Sequence, residues 1–187
     1  MPLTVEALAI PDIKLIRPPV FGDDRGFFSE VFNARDLARE GLYNGFVQDN
    51  HSRSRLAGTV RGLHFQLPPH AQDKLVRVTR GRILDVAVDL RPDSPTYLRH
   101  VAVELSAEAW NQLYVPRGFA HGFCTLEEDT DVIYKVSAHY APAYDRGVHW
   151  LDPQIGIRWP VAPEDAVLSD KDLRNPNVAE IKETLTW

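Results

Sequence analysis

Between residues 60 and 140 apolar and polar side chains alternate, the period that sends successive side chains to opposite faces of an extended chain. In "ILDVAVDLR" Leu84, Val86, Val88 and Leu90 fall on one face, with Ile83, Asp85, Ala87 and Asp89 on the other, which predicts a strand. "KLVRVTRGR" before it carries Val76 and Val78 in register with Lys74 and ends at Gly81. The two segments therefore read as a hairpin with a short turn at Arg80–Arg82. "LRHVAVELS" and "DVIYKVSAHY" predict two further strands, and "PRGFAHGF" a tight turn entering another. The one helical signal is "NARDLAREGL": Asn33 can cap, Leu37 and the apolar stem of Arg39 can pack, and Gly41 sits where a glycine stops a helix. Fourteen prolines and eleven glycines punctuate short strands without a repeat, which predicts an all-β sandwich or small barrel over an α/β fold. No linker divides the 187 residues, so one domain is expected. The tail from "WPVAPEDAVLSDKDLRNP" onward is turn-rich and polar and reads as a surface extension.

Composition narrows the function classes. Hydrophobic residues at 44% and charged residues at 25% suit a packed globular chain. The formal net charge is −5 and lysines and arginines form no run, which gives nucleic acid or an anionic membrane little electrostatic purchase. A single cysteine, Cys124, excludes an internal disulfide and a cysteine-based zinc cluster. The N-terminal residues lack a basic stretch followed by an apolar one, and no apolar run is long enough to span a bilayer. A cytoplasmic protein is the expectation.

Candidate chemistry starts in "RGLHFQ", where His64 and Gln66 share a strand face. A second histidine there would suggest a metal; glutamine is a poor transition-metal ligand and leaves His64 free to carry a proton. Lys74 lies in line with Val76 and Val78 and so faces inward, which is costly unless its charge has a task. Tyr134 shares its face with Val132 and Val136 and should also point inward, either as a core tyrosine with a backbone partner or as a cavity group. His121 is either a turn-stabilising hydrogen bonder or a pocket residue. Arg25, Arg61 and Lys171 are solvated charges unless they converge on an anion. In a regular strand Arg61 lies opposite His64, so both serve one cavity only if a bulge intervenes or Arg61 sits at the rim.

Seven segments in order, "DDRGFFSEVF", "QDNHSRSRLAGTVRGLHFQ", "KLVRVTRGRILDVAVDLRPDSPT", "VPRGFAHGF", "YKVSAHYAP", "DPQIGIRWP" and "LSDKD", closely resemble the dTDP-4-dehydrorhamnose 3,5-epimerase family over residues 15 to 176 or so. The resemblance implies a cupin-type jelly roll and inversion of C3 and C5 of a dTDP-4-keto-6-deoxyhexose without a cofactor, giving dTDP-4-dehydro-L-rhamnose. It implies His64 as base, oriented by Asp172, with Lys74 stabilising an enolate and Tyr134 as the opposing acid. It assigns Arg25, Arg61 and Lys171 to the diphosphate or sugar; Glu30, Gln48 and Asn50 to thymidine or sugar; His121 to the pocket; and Tyr140 to the thymine ring. Asp145 stands where relatives more often have glutamate, a one-carbon shortening that weakens its expected nucleotide contact. A homodimer with exchanged N-terminal strands is also implied, with Arg25 and Glu30 serving the neighbouring subunit. Two other readings remain open: a mono-epimerase acting at C3 or C5 alone, and a non-catalytic or metal-binding cupin in which His64, Gln66 and His121 would be the plausible ligands.

Overall fold

The computed structural model describes residues 3–187. Along the chain run β1 (Thr4–Ala7), β2 (Lys14–Arg17), β3 (Phe21–Asp23), β4 (Gly26–Phe28), α1 (Ala34–Arg39), β5 (Gln48–Ser54), β6 (Val60–Gln66) and β7 (Lys74–Arg80). There follow β8 (Arg82–Asp89), β9 (His100–Ser106), β10 (Gln112–Val115), β11 (Phe119–Thr125), β12 (Thr130–Val136), β13 (Asp145–Gly147), α2 (Asp170–Leu173) and α3 (Val178–Ile181). One antiparallel sheet has the order β1-β2-β10-β7-β12-β5, the facing one β13-β6-β11-β8-β9, and β3 pairs only with β4. The two sheets form the jelly roll expected from the short, punctuated strands.

The inner faces meet over Val76, Val78, Ile83, Ala87, Leu113, Phe119, Phe123 and Val132. On β8 the face that carries Asp85 and Asp89 is the inner one, with Ile83 and Ala87. Its other face is apolar as well: Val86, Val88 and Leu90 join Leu63 and Phe65 of β6 in a second cluster. That cluster is covered by Val148 and Ile155 and, from the tail itself, by Val178 and Leu185, with Trp159 and Ile181 packed against it. The tail is therefore a packed layer over the five-stranded sheet, which corrects its reading as a surface extension. Its polarity misled because a few well-spaced apolar residues suffice to cover a sheet already apolar on that side. The helices α2 and α3 span four residues each, too short for a 3.6-residue period to register. The first is capped by Ser169, whose side chain accepts from the Asp172 amide.

Two local devices break the regular pattern. The predicted β7–β8 hairpin does not form: β7 pairs with β10 and β12, β8 with β9 and β11. Alternation identifies a strand but not its neighbour, and Gly81 carries the chain from one sheet to the other. Its φ is +77°, and a Cβ there would lie 2.3 Å from Thr130 Oγ1. The second device is a bulge in β6. His121 faces His64, yet Phe123 faces Arg61, so two steps along β11 oppose three along β6. Gly62 lies within the bulge with φ +126°, where a Cβ would lie 2.6 Å from Gly122 Cα. The predicted helix forms as α1, with Asn33 accepting from the Arg35 and Asp36 amides, Leu37 buried and Gly41 at φ +71°. Arg39, however, is exposed and pairs with Asp36 at 2.8 Å, so its stem does not pack.

Candidate active site

A cavity of about 450 Å³ opens between the sheets. One wall is β5, β7 and β12, which contribute Gln48, Asn50 and Ser52, then Lys74, then Tyr134; the other is β6, β11 and β13, which contribute Arg61, His64 and Gln66, then His121 and Phe123, then Asp145. Ser169, Lys171 and Asp172 reach in from α2 and its cap, and Tyr140 stands at the edge. The β6 bulge is what turns Arg61 to the His64 side, which answers the parity question. On β5 the cavity face is half-buried and polar, Gln48, Asn50 and Ser52, while Asp49, His51 and Arg53 between them are exposed. Such a strand forms the wall of a site for a polar ligand.

His64 Nε2 lies 2.5 Å from Asp172 Oδ1. Burial opposes ionisation of Asp172, but hydrogen bonds from His64, from Ser169 and from the Gly62 amide outweigh it and hold the carboxyl below its usual range. A carboxylate that accepts from Nε2–H leaves Nδ1 as the basic position of the ring. Lys74 is 7% exposed, and its Nζ donates to the His64 carbonyl at 3.3 Å. Burial pushes its ammonium down to about 8, against the pull of Asp85 and Asp145. Burial, helped by Asp145 and opposed by Arg61, raises the Tyr134 phenol, which stays protonated at neutral pH. The Tyr134 hydroxyl makes no hydrogen bond to protein among the described residues, so the reading as a core tyrosine with a backbone partner does not hold.

His121 lies within β11, not in a turn, and its Nε2 is 2.7 Å from Asp85 Oδ1. Burial lowers its imidazole, Asp85 pulls the other way, and the charges of Lys74 and His64 add to the lowering. Asp85 was missed in the sequence. It is fully buried, and its Oδ2 has no hydrogen-bond partner among the described residues. The inward parity that singles out Lys74 was available for Asp85 too, had its face of β8 been known to be the inner one. Ser169 was also missed; its Oγ lies 3.0 Å from Asp172 Oδ2, and its signal is the cap position in "LSDKD". Ser52, Phe65, Gln72 and Phe123 complete the lining. Among the described residues no three His, Cys, Asp or Glu side chains are grouped to hold a metal.

At the outer end Asp145 Oδ2 accepts from Lys171 Nζ at 2.5 Å and from the Tyr140 hydroxyl at 3.4 Å. The shortened acid thus lines the cavity by tethering its neighbours. Arg25 and Glu30 do not join it. Arg25 sits in the β3–β4 turn, its side chain 90% exposed and paired with Asp23. Glu30 lines a separate apolar groove with Phe21 and Phe28 and accepts from Asn33.

A jelly roll whose cavity holds a histidine–carboxylate pair, a buried lysine and a free phenol is the frame of a cupin-type sugar-nucleotide epimerase. The chain belongs to the dTDP-4-dehydrorhamnose 3,5-epimerase family, whose model matches residues 7–180. The enzyme of that name from Sinorhizobium fredii is 54% identical over 176 residues, 94% of this chain and 90% of its own length. The crystal structure of the Bacillus anthracis enzyme with TDP and PPi bound is 50% identical, with a TM-score of 0.90 over 94% of this chain and 99% of that one. The Legionella pneumophila 3,5-epimerase in complex with dTDP-4-keto-L-rhamnose is 42% identical, with a TM-score of 0.93 over 98% of this chain and 96% of that one. Among the described residues no helix is long and apolar enough to cross a membrane.

Proposed function

We propose that the protein inverts C3 and C5 of a dTDP-4-keto-6-deoxyhexose, giving dTDP-4-dehydro-L-rhamnose, by removing each proton and returning one to the opposite face. The observation that carries this reading is the placement of His64 and Tyr134 on opposing sheets, with Lys74 on the same wall as Tyr134, one strand away. The C4 ketone acidifies the C–H bonds of C3 and C5. His64 takes a proton at Nδ1, and Asp172, hydrogen-bonded to Nε2–H, stabilises the imidazolium. The Lys74 ammonium meets the negative charge that develops on the C4 oxygen, in a buried site where a cation counts for more than in water. Tyr134 then gives its phenolic proton to the other face of the carbon. Exchange with solvent restores neutral imidazole and phenol.

Arg61 and Lys171 suit the diphosphate, Asn50 and Gln48 the polar edge of thymidine or sugar, and Tyr140 the thymine face. Relatives named for double epimerisation at 54% and 50% identity favour it over a single-centre reaction. A homodimer is the reading that gives Arg25 and Glu30 a task. Phe21, Phe27 and Phe28 of the β3–β4 hairpin are 50%, 58% and 68% exposed, an apolar patch suited to a second copy of the chain. One buried thiol, Cys124, fits a reducing cytoplasm.

The test separates acid from base. His64→Ala should abolish both solvent-deuterium incorporation and inversion. Tyr134→Phe keeps the base and the lysine, so it should wash deuterium into the sugar while inverting slowly or at one centre. Mass spectrometry and NMR on the same samples read both. Inversion of both centres by Tyr134→Phe at the wild-type rate sinks the assignment.

A further inference from the structure

Segment 138–141 leaves β12 without joining a strand, and such a stretch ordinarily gives its backbone groups to water. Here four successive residues are each held by a glutamine amide. Gln72 Nε2 donates to the Ala138 carbonyl at 2.8 Å, and Gln66 Nε2 donates to the His139 carbonyl at 3.2 Å. Gln48 Oε1 accepts from the Tyr140 amide at 3.1 Å, and Gln66 Oε1 accepts from the Ala141 amide at 2.7 Å. The second hydrogen on Gln66 Nε2 goes to the His70 carbonyl at 2.8 Å, in the loop that supplies Gln72. The three glutamines come from different places, the start of β5, the end of β6 and the loop before β7, yet converge on one short segment.

We infer that Gln48, Gln66 and Gln72 form a clamp that fixes the backbone of residues 138–141 and so presents the Tyr140 ring as a preformed stacking face for the nucleotide base. The inference rests on the reading of the cavity as a thymidine-diphosphate-sugar site and assigns the glutamines to positioning. Tyr140 is 56% exposed at the cavity edge, with its hydroxyl directed to Asp145. An exposed ring on a mobile backbone would lose entropy when a base stacks on it; a ring on a fixed backbone with few torsions left loses little. The chemistry also explains why position 66 is glutamine. Only a primary amide donates twice and accepts once from one buried side chain. Histidine would leave at least one of these three backbone groups unpaired, and a carboxylate cannot donate at all.

The experiment titrates TDP and, separately, inorganic diphosphate into the wild type, Gln72→Ala, Gln66→Glu, Tyr140→Ala and the Gln72→Ala/Tyr140→Ala double variant, with steady-state kinetics alongside. Gln72→Ala and Gln66→Glu should weaken TDP about tenfold, the size of one good stacking contact, and diphosphate less than about twofold. KM should rise with kcat within about twofold, because a positioning group for the base acts on binding rather than on proton transfer. In the Tyr140→Ala background Gln72→Ala should add nothing further. Should Gln66→Glu fail to fold, Gln72→Ala, which removes a single bond to one carbonyl, carries the test. Equal weakening of TDP and diphosphate, a full effect of Gln72→Ala without Tyr140, or unaltered TDP affinity in the glutamine variants each overturns the clamp. A wild type that binds no TDP overturns the functional reading and the clamp with it. A wild type that binds TDP and loses affinity only in Tyr140→Ala overturns the clamp alone.

Discussion

Lys74 and Asp85 illustrate what a single strand discloses about its residues. Parity along β7 places Lys74 inward because its neighbours Val76 and Val78 mark the inner face, and the same reasoning places Tyr134. Along β8 both faces are apolar, so nothing local says that Asp85 points to the cavity side. The two residues are coupled, since Asp85 favours the ammonium that burial disfavours and that titrates at about 8. The sign for stability follows from a folded value below the ordinary 10.5. Below about 8 both states are protonated and the native state bears the full cost of the buried charge. Between about 8 and 10.5 the unfolded chain binds more protons, so this cost fades as pH rises. For catalysis the sign is opposite, because the proposed enolate partner is the protonated form. The profile of kcat/KM should therefore fall on the alkaline side near 8. Asp85→Asn, whose carbonyl can still accept from His121, should move that limb to lower pH. A limb that stays in place would remove Lys74 from the role of cation.

Elements were readable where one period ran unbroken and unreadable where one residue interrupted it. The strands β7, β8 and β9 and the helix α1 stand within a residue or two of their predicted places, while β12 ends at Val136, four residues short of the predicted segment. Their pairing did not follow, because Gly81 lets the chain change sheets where a hairpin was expected. The tail was missed for a related reason: its contacts are to a face of β6 and β8 that alternation had left without a partner. The bulge in β6 matters most for the site, since it alone brings Arg61 and His64 to one side. Gly62 was its visible trace, a glycine inside a strand pattern. Gly62→Ala should destabilise the fold by about 3 kcal/mol, through the unfavourable φ and the collision with the Gly122 backbone. It should also depress kcat/KM, because any relief of the collision shifts β6 against β11. Denaturant unfolding and kinetics on the same preparation check both. A variant within about 0.5 kcal/mol of wild type and fully active would mean that β6 tolerates a regular course.

At the scale of the whole molecule, the two sheets do what neither can alone: they put His64 and Tyr134, the proposed base and acid, on opposite sides of one cavity, which inversion requires. The sequence motifs held both residues but not their opposition, since sheet membership depends on pairings dozens of residues apart. Arg25 and Glu30 belong to a larger scale still. Within one chain they stay outside the cavity; β1 and β2 pair within their own sheet, so the proposed homodimer predicts that the β3–β4 hairpin and Glu30 beyond it complete the neighbour's site. Mixing two inactive variants tests this directly. In a heterodimer of Arg25→Ala with His64→Ala, the first subunit keeps its own His64 and receives an intact Arg25 from the second. That site is whole, while the other carries both defects. An equimolar mixture, dissociated and reassembled at random, is half heterodimer, so about one quarter of all sites should be intact and activity should recover to roughly that fraction of wild type. If Arg25 instead serves its own subunit, each site in the heterodimer retains one defect, and the mixture stays at the average of its inactive parents. Sedimentation equilibrium on the wild type supplies the companion measurement: a monomer at working concentration would leave no neighbour for either residue to serve.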